Sequence, residues 1–350
     1  MSGLPALYLD EESGKPIATH SMIKTFRRCP KQTEYKYFIR LKPRVLGKPL
    51  RQGTWMHRLQ EVHYKGGDWH EEHKKLTLKF SDLFDEERDE IGDLPTECGR
   101  MMESYLWHYK ADNWKVLDAE FVLETEFPDG TIYRAKIDLL VEDQYGLWLV
   151  DHKWHKSLPN LTYRILDAQS GLYVWAARRN GLKVQGHIWN YGTRKAPGIP
   201  ALLKSGARLS NKKLDTDFPT FLKTIRAYDL DPKPYLAKLQ YLKNQRYEFG
   251  APQTSPFFRR AILEMNPEML KQTAREAYHT VKRMNEYDFA RTEFVERVPD
   301  RSCMFMCSYR DVCSLELFGG NTFNLRKERY KITDPMDYYY DDPKDVEADV

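Results

Sequence analysis

The chain has 350 residues, 41% of them hydrophobic and 30% charged, which is enough to bury a packed core and too apolar for wholesale disorder. Its 55 basic and 51 acidic residues leave a formal charge of +4, a balance that by itself singles out no acidic partner. No run reaches the length of a membrane-spanning helix. The opening MSGLPALYLDEESGKP lacks the basic-then-apolar order of a secretory leader, so the expected compartment is a reducing cytoplasm, that of the host for a viral protein.

Residues 1–18 read as an N-terminal extension. Residues 19–40 carry Ile23, Phe26 and Tyr37 at helical spacing, with Ser21 as the expected cap and Pro30 near a second helix start. A helix is expected over 53–64, placing His57 and Glu61 on one face, and another over 98–109, where Met101, Tyr105 and Trp107 offer packing surface. Between them, 71–92 is charged and shows no clear period. Strands are expected over 119–127, 131–141 and 147–154, separated by the turn Pro128-Asp129-Gly130 and a second turn over 142–146. A helix over 161–180, closed by Gly181, and a strand over 184–191 complete the order strand, strand, strand, helix, strand.

From 192 to 267 the pattern loosens into an expected insertion or lid. It contains six basic residues and no acid between Arg194 and Lys213 (Arg194, Lys195, Lys204, Arg208, Lys212, Lys213), which suits a phosphate-backbone track and equally a solvated loop. Residues 268–289 read as a helix, 268–320 as a helix-plus-cysteine region, and 331–350 as an acidic, mobile tail. A single domain over 19–330 is expected, with its core over 19–191. No GxxxxGKS/T phosphate loop is present, so the chain is no motor by itself.

The chemistry concentrates at Asp138, inside the apolar run AKIDLL, and at Asp151-His152-Lys153, which ends LWLV. Antiparallel strands would set the two acids side by side, where burial and mutual repulsion disfavour both unless a divalent cation intervenes. Lys153, two residues after Asp151, would face the same side and orient a water or offset phosphate charge. Singly, each is also an ordinary strand-end charge, and His57 an ordinary surface histidine. Trp154, Trp175 and Trp189 are explained by core packing.

Taken together, Asp138, Asp151-x-Lys153, Gln169-x-x-x-Tyr173 and the upstream Gly53-Thr54-x-x-His57 resemble the PD-(D/E)XK nucleases of the RecB type. Ile137 stands at the nominal proline position, and Asp151 where many members have glutamate. The resemblance implies an α/β, restriction-endonuclease-like core, with a mixed central sheet flanked by helices and a helical, cysteine-ligated C-terminal region. It implies His57, Asp138, Asp151 and the main-chain carbonyl of His152 as ligands of Mg²⁺ or Mn²⁺, Lys153 as the catalytic lysine, and Gln169 and Tyr173 as positioning residues. It further implies a metal-dependent DNA exonuclease, acting on single-stranded or free ends in recombination, repair or replication, with protein partners from those processes. A structure-specific endonuclease and a non-catalytic DNA-binding scaffold are the alternatives.

Five cysteines, an odd number, argue against a disulfide framework. Cys303-x3-Cys307-x5-Cys313 supplies three thiolates, and Cys29 is the best candidate for a fourth. The set resembles the one-early, three-late cysteines of AddB-like and CRISPR-associated RecB-like nucleases, with one extra residue in the first late pair, and so implies a [4Fe–4S] cluster tying the chain's two ends. Structural Zn²⁺ is the rival occupant, and Cys98 reads as a core residue.

Overall fold

The structure, a computed structural model, describes residues 8–10, 12–204, 206, 208–210 and 212–339, with side chains omitted for 161–163. The rest of the expected N-terminal extension and acidic tail, together with residues 205, 207 and 211 of the basic stretch, lies outside the described residues.

Strand β1 (Ile17–Thr19) runs into α1 (His20–Arg28), capped by the Thr19 hydroxyl, which accepts from the Met22 amide at 3.1 Å; the cap is Thr19, not Ser21. Cys29 breaks the helix in an extended conformation, and Pro30, lacking an amide hydrogen, opens α2 (Pro30–Thr33), followed by a π-helical turn over Glu34–Phe38. After β2 (Leu41–Pro43) come α3 (Lys48–Tyr64), α4 (Trp69–Ser81), α5 (Asp85–Ile91) and α6 (Leu94–His108). The charged stretch 71–92 thus falls into two helices. Asp68 caps the first, and three acids occupy the first turn of the second, at the positive end of its dipole.

Strands β3 (Lys115–Glu126), β4 (Ile132–Asp143) and β5 (Gly146–His155) form the expected antiparallel meander. Gly130, at φ 82°, makes its first turn, where the Asp129 carboxylate accepts from the Thr131 amide at 3.1 Å. The helix expected over 161–180 is split. A 3₁₀ turn over Leu161–Leu166 stops at Asp167, whose carboxylate accepts from the Gln169 amide at 3.0 Å and starts α7 (Ala168–Arg179). Strand β6 (Val184–Thr193) lies parallel to β5. The expected insertion holds α8 (Phe218–Ala227) and α9 (Leu236–Lys243), but its end is β7 (Phe258–Glu264), a strand of the main sheet antiparallel to β6. Then follow α10 (Pro267–Asn285), α11 (Ser302–Phe305), α12 (Arg310–Leu317), α13 (Phe323–Arg329) and β8 (Tyr330–Ile332), which pairs with β2.

The main sheet is six-stranded and mixed, with β4 bonded antiparallel to β3 and β5 and parallel to β1. On one face α1, α7 and α10 bury Phe26, Leu172 and Val281 against Ile137, Leu140 and Leu149. The approach of α7 to α10 is close: a Cβ on Gly171 would lie 2.7 Å from Thr273 Oγ1. The other face presents Leu139, Val150 and Ile188 to Tyr64 of α3, and a second cluster fills the space between α3, α4 and α6. Among the described residues no helix is long and apolar enough to cross a membrane.

Candidate active site

The β4–β5 register pairs Leu139 with Val150, so one step further along each strand Asp138 and Asp151 stand side by side. Asp138 Oδ2 accepts from the His152 amide at 2.7 Å, a side chain replacing a rung of the ladder. Lys153 shares the side of Asp151, with Nζ 2.5 Å from its Oδ2. From α7, Gln169 Nε2 donates to Asp151 Oδ1 at 2.6 Å, and from α3 His57 brings Nδ1 to 3.5 Å from Asp138 Oδ2. Four separate elements therefore bring five of the residues singled out by sequence to one place.

One of the others goes elsewhere. Tyr173, one turn beyond Gln169, packs in the core with its ring edge-on to His187 at 6.0 Å. The His152 ring leaves the site for the opposite face, stacking on Tyr64 at 5.6 Å, so only its main chain borders the carboxylates. That ring is tightly held. Gln60 Nε2 and Asn190 Nδ2 lie 3.3 and 3.2 Å from its Nδ1. Both amides are oriented from behind, Gln60 by Trp154 Nε1 at 3.0 Å and Asn190 by Arg260 Nε at 3.3 Å. Arg260 is itself fixed by Asp112 at 2.8 and 2.6 Å and lies 3.8 Å from the ring centres of Tyr109 and Trp114.

Sequence reasoning missed Glu120. The β3–β4 register places it between the pairs Ala119–Leu139 and Phe121–Ile137, beside Asp138. Its φ of 56° is left-handed, a conformation that disfavours side chains by about 1–2 kcal/mol. Both strands change phase there, because Ala119 and Leu139 join the core on one face and Phe121 and Ile137 the core on the other. Donor atoms of His57, Glu120 and Asp138 all lie within 4.8 Å of one another.

Burial dominates the electrostatics. It pushes Asp151 up to about 6, raises Asp138, and together with the Asp138 charge pushes Glu120 up to about 8. Burial, with Lys153 nearby, pushes His57 down to about 4, leaving a neutral imidazole with a free lone pair. For Lys153 burial works against the charge, but Asp151 and Asp138 outweigh it and hold the ammonium above its usual range. Asp151 Oδ2 accepts no aligned hydrogen bond even with the ammonium beside it. Crowded, nearly buried carboxylates and a neutral imidazole make a donor set that fits a divalent cation.

Cys29, Cys303, Cys307 and Cys313 carry free, half-buried thiols. Burial raises the Cys307 thiol, and Cys303 and Cys29 lie near enough to add to the effect. Cys307 and Cys313 both pack on the cluster of Tyr35, Leu41, Tyr309 and Tyr330. Cys98, on α6, is fully buried in the cluster with Trp55 and Leu76, a core residue as expected. In the basic stretch Lys195 pairs with Asp215 at 2.9 Å, and Lys204, Arg208, Lys212 and Lys213 are exposed. The tryptophans serve packing: Trp189 is 1% exposed and Trp175 stacks on Phe127.

Among solved structures, a crystal structure from Eubacterium rectale described as a candidate exonuclease aligns with 86% of this chain and 97% of its own, at 11% identity and a TM-score of 0.42. No curated protein matches the chain. The family model of the PD-(D/E)XK nuclease superfamily matches residues 18–314, a span that contains the mixed sheet, both flanking helical layers and the clustered carboxylates. The chain therefore belongs to the PD-(D/E)XK nuclease superfamily, with the restriction-endonuclease-like fold expected from its motifs.

Proposed function

We propose that this nuclease is a metal-dependent deoxyribonuclease that degrades DNA from its ends, single-stranded ends in particular, and serves recombination, repair or replication. The observation that carries the reading is the meeting of His57, Asp138 and Asp151 beside Lys153. Those three residues, with the His152 carbonyl, would hold Mg²⁺ or Mn²⁺. When bound, the cation supplies polarisation of a phosphoryl oxygen and acidification of a water. The chain's own residues do the rest. Neutral His57 offers a lone pair, Gln169 fixes the Asp151 carboxylate, and the charged Lys153 is placed to hold a phosphate oxygen or align the attacking water. The exposed lysines and Arg208 of the basic stretch suit a phosphate backbone. The preference for ends follows from the RecB-type pattern of motifs. The test is digestion of 5′- and 3′-labelled single- and double-stranded oligonucleotides with Mn²⁺. Release of short products from one labelled end is expected. Internal first cuts would make the protein an endonuclease, and stable binding without cleavage would make it a scaffold.

The second part of the proposal is a [4Fe–4S] cluster on Cys29, Cys303, Cys307 and Cys313. Its support is the nearness of Cys29 and Cys303 to Cys307, and the packing of Cys307 and Cys313 on a shared aromatic cluster. A brown protein with visible absorption and bound iron is expected from anaerobic purification; stoichiometric zinc without iron would replace the cluster by a structural zinc site.

A further inference from the structure

We propose that Glu120 is a direct ligand of the active-site cation, completing with His57 and Asp138 a three-donor set that the sequence motifs do not contain. The inference rests on the reading of this site as a divalent-cation centre. The donors come from three elements, α3, β3 and β4, and lie within 4.8 Å of one another, while ligands of a single small cation sit about 3–4 Å apart, so only a slight closure is needed. The set is mixed imidazole and carboxylate, suited to Mn²⁺ as well as Mg²⁺.

Charge balance points the same way. Glu120, Asp138 and Asp151 have side chains 11%, 6% and 3% exposed, and two ammonium groups stand close by. Lys153 is engaged with Asp151. Lys136 is 3.5 Å from Glu120, too long for a good hydrogen bond, and its Nζ donates instead to the Tyr338 carbonyl at 3.1 Å and lies over the Tyr338 ring. Ionised together, as ligation requires, the three nearly buried carboxylates exceed the two ammonium groups by one charge, which a dication would offset. A cavity of about 820 Å³, lined by Lys65, Phe121, Glu124 and Arg134, reaches Glu120 but neither His57 nor Asp138. A glutamate serving only as partner to Lys136 would be expected to make a shorter contact.

The test is calorimetric titration of the full-length protein with Mn²⁺, paired with thermal melts with and without the ion. Wild type is compared with Glu120→Gln, Asp138→Asn and, as control, Glu124→Gln, four residues along the same strand and half exposed. Glu120→Gln is expected to weaken Mn²⁺ binding at least tenfold and to lose most of the Mn²⁺-induced rise in Tm. Its metal-free Tm should hold or rise, since a carboxyl whose ionisation burial and Asp138 oppose gives way to a neutral amide. Glu124→Gln should bind as wild type does. Wild-type affinity in Glu120→Gln alongside lost binding in Asp138→Asn would overturn the role of Glu120 and leave the cation centre standing. No Mn²⁺ binding by the wild type would overturn both.

Discussion

Asp151 must be ionised to hold a cation, yet burial pushes its pKa from 3.8 up to about 6. A carboxyl that keeps its proton to higher pH in the folded state than in the unfolded one favours folding most below the unfolded value. That advantage is lost as pH rises from about 4 through about 6, a change of about 3 kcal/mol at most. Measured without metal, wild type should therefore lose Tm relative to Asp151→Asn across this window and hold steady above it. Because binding of the ion must displace that proton, Mn²⁺ affinity should rise at least tenfold per pH unit below 6 and, with Glu120 as a further ligand, keep climbing up to about 8; a flat affinity between pH 5 and 7 would refute the assignment of Asp151. Lys153→Ala and Asp151→Ala should each cut cleavage of labelled oligonucleotides by about 10²-fold or more, with circular dichroism unchanged. Wild-type rates in either would remove both residues from the chemistry. Asp138 and Asp151 were legible because each interrupts an apolar run. Glu120 was not, because Asp118, Glu120, Glu124 and Glu126 punctuate the whole of β3 and one more acid carries no contrast.

Among the elements, α7 matters most to the site, since it holds Gln169 against Asp151, and its position depends on the bare face of Gly171. Gly171→Ala would put a methyl group 2.7 Å from Thr273 Oγ1 and 2.8 Å from its Cγ2, both close to the backbone of α10 and unable to swing far. Overpacking of this kind destabilises by about 1–3 kcal/mol. The expected result is a Tm lower by several degrees and a fall in kcat larger than any rise in KM, as Gln169 withdraws from Asp151. The double variant Gly171→Ala with Thr273→Ala, which vacates the space, should recover most of both losses; failure to recover would mean that the glycine acts elsewhere. The start of α7 was written in the sequence, in the acid of Leu166-Asp167-Ala168, an N-cap signal outweighed by the apolar residues before it. Strand β7 could not be read locally. Arg259 and Arg260 interrupt its apolar pattern, and Arg260 is buried only because Asp112, 148 residues away, meets it in the folded chain.

At the scale of the whole molecule, the two ends of the domain are joined with or without a metal cluster. Strands β2 and β8 pair, the Tyr309 hydroxyl donates to the Leu41 carbonyl at 2.8 Å, and Glu316 of α12 gathers partners from across the sequence. Tyr35 donates to it at 2.6 Å, Lys31 and Arg297 approach to 3.3 and 3.2 Å, and Arg326 is bonded to it as well. Cysteine spacing suggested that the ends meet; nothing local in the sequence announces a carboxylate 281 residues from its tyrosine. Lys31, 4% exposed, stands between the fully buried Glu34 at 2.6 Å and Glu316 at 3.3 Å. Glu316→Ala removes the shared partner of two partly exposed guanidinium groups and of Tyr35, while Lys31 keeps Glu34, so the loss should be about 1–3 kcal/mol. Urea unfolding should show a drop of about this size, with a smaller one for Glu316→Gln, which keeps an acceptor for Tyr35. If the cysteines hold a cluster across the same junction, Glu316→Ala should also hasten iron release, and its cost should fail to add to that of Cys29→Ser, since either change frees the same two segments. Strict additivity of the two would mean that the ionic network and the cysteines fasten different parts of the chain.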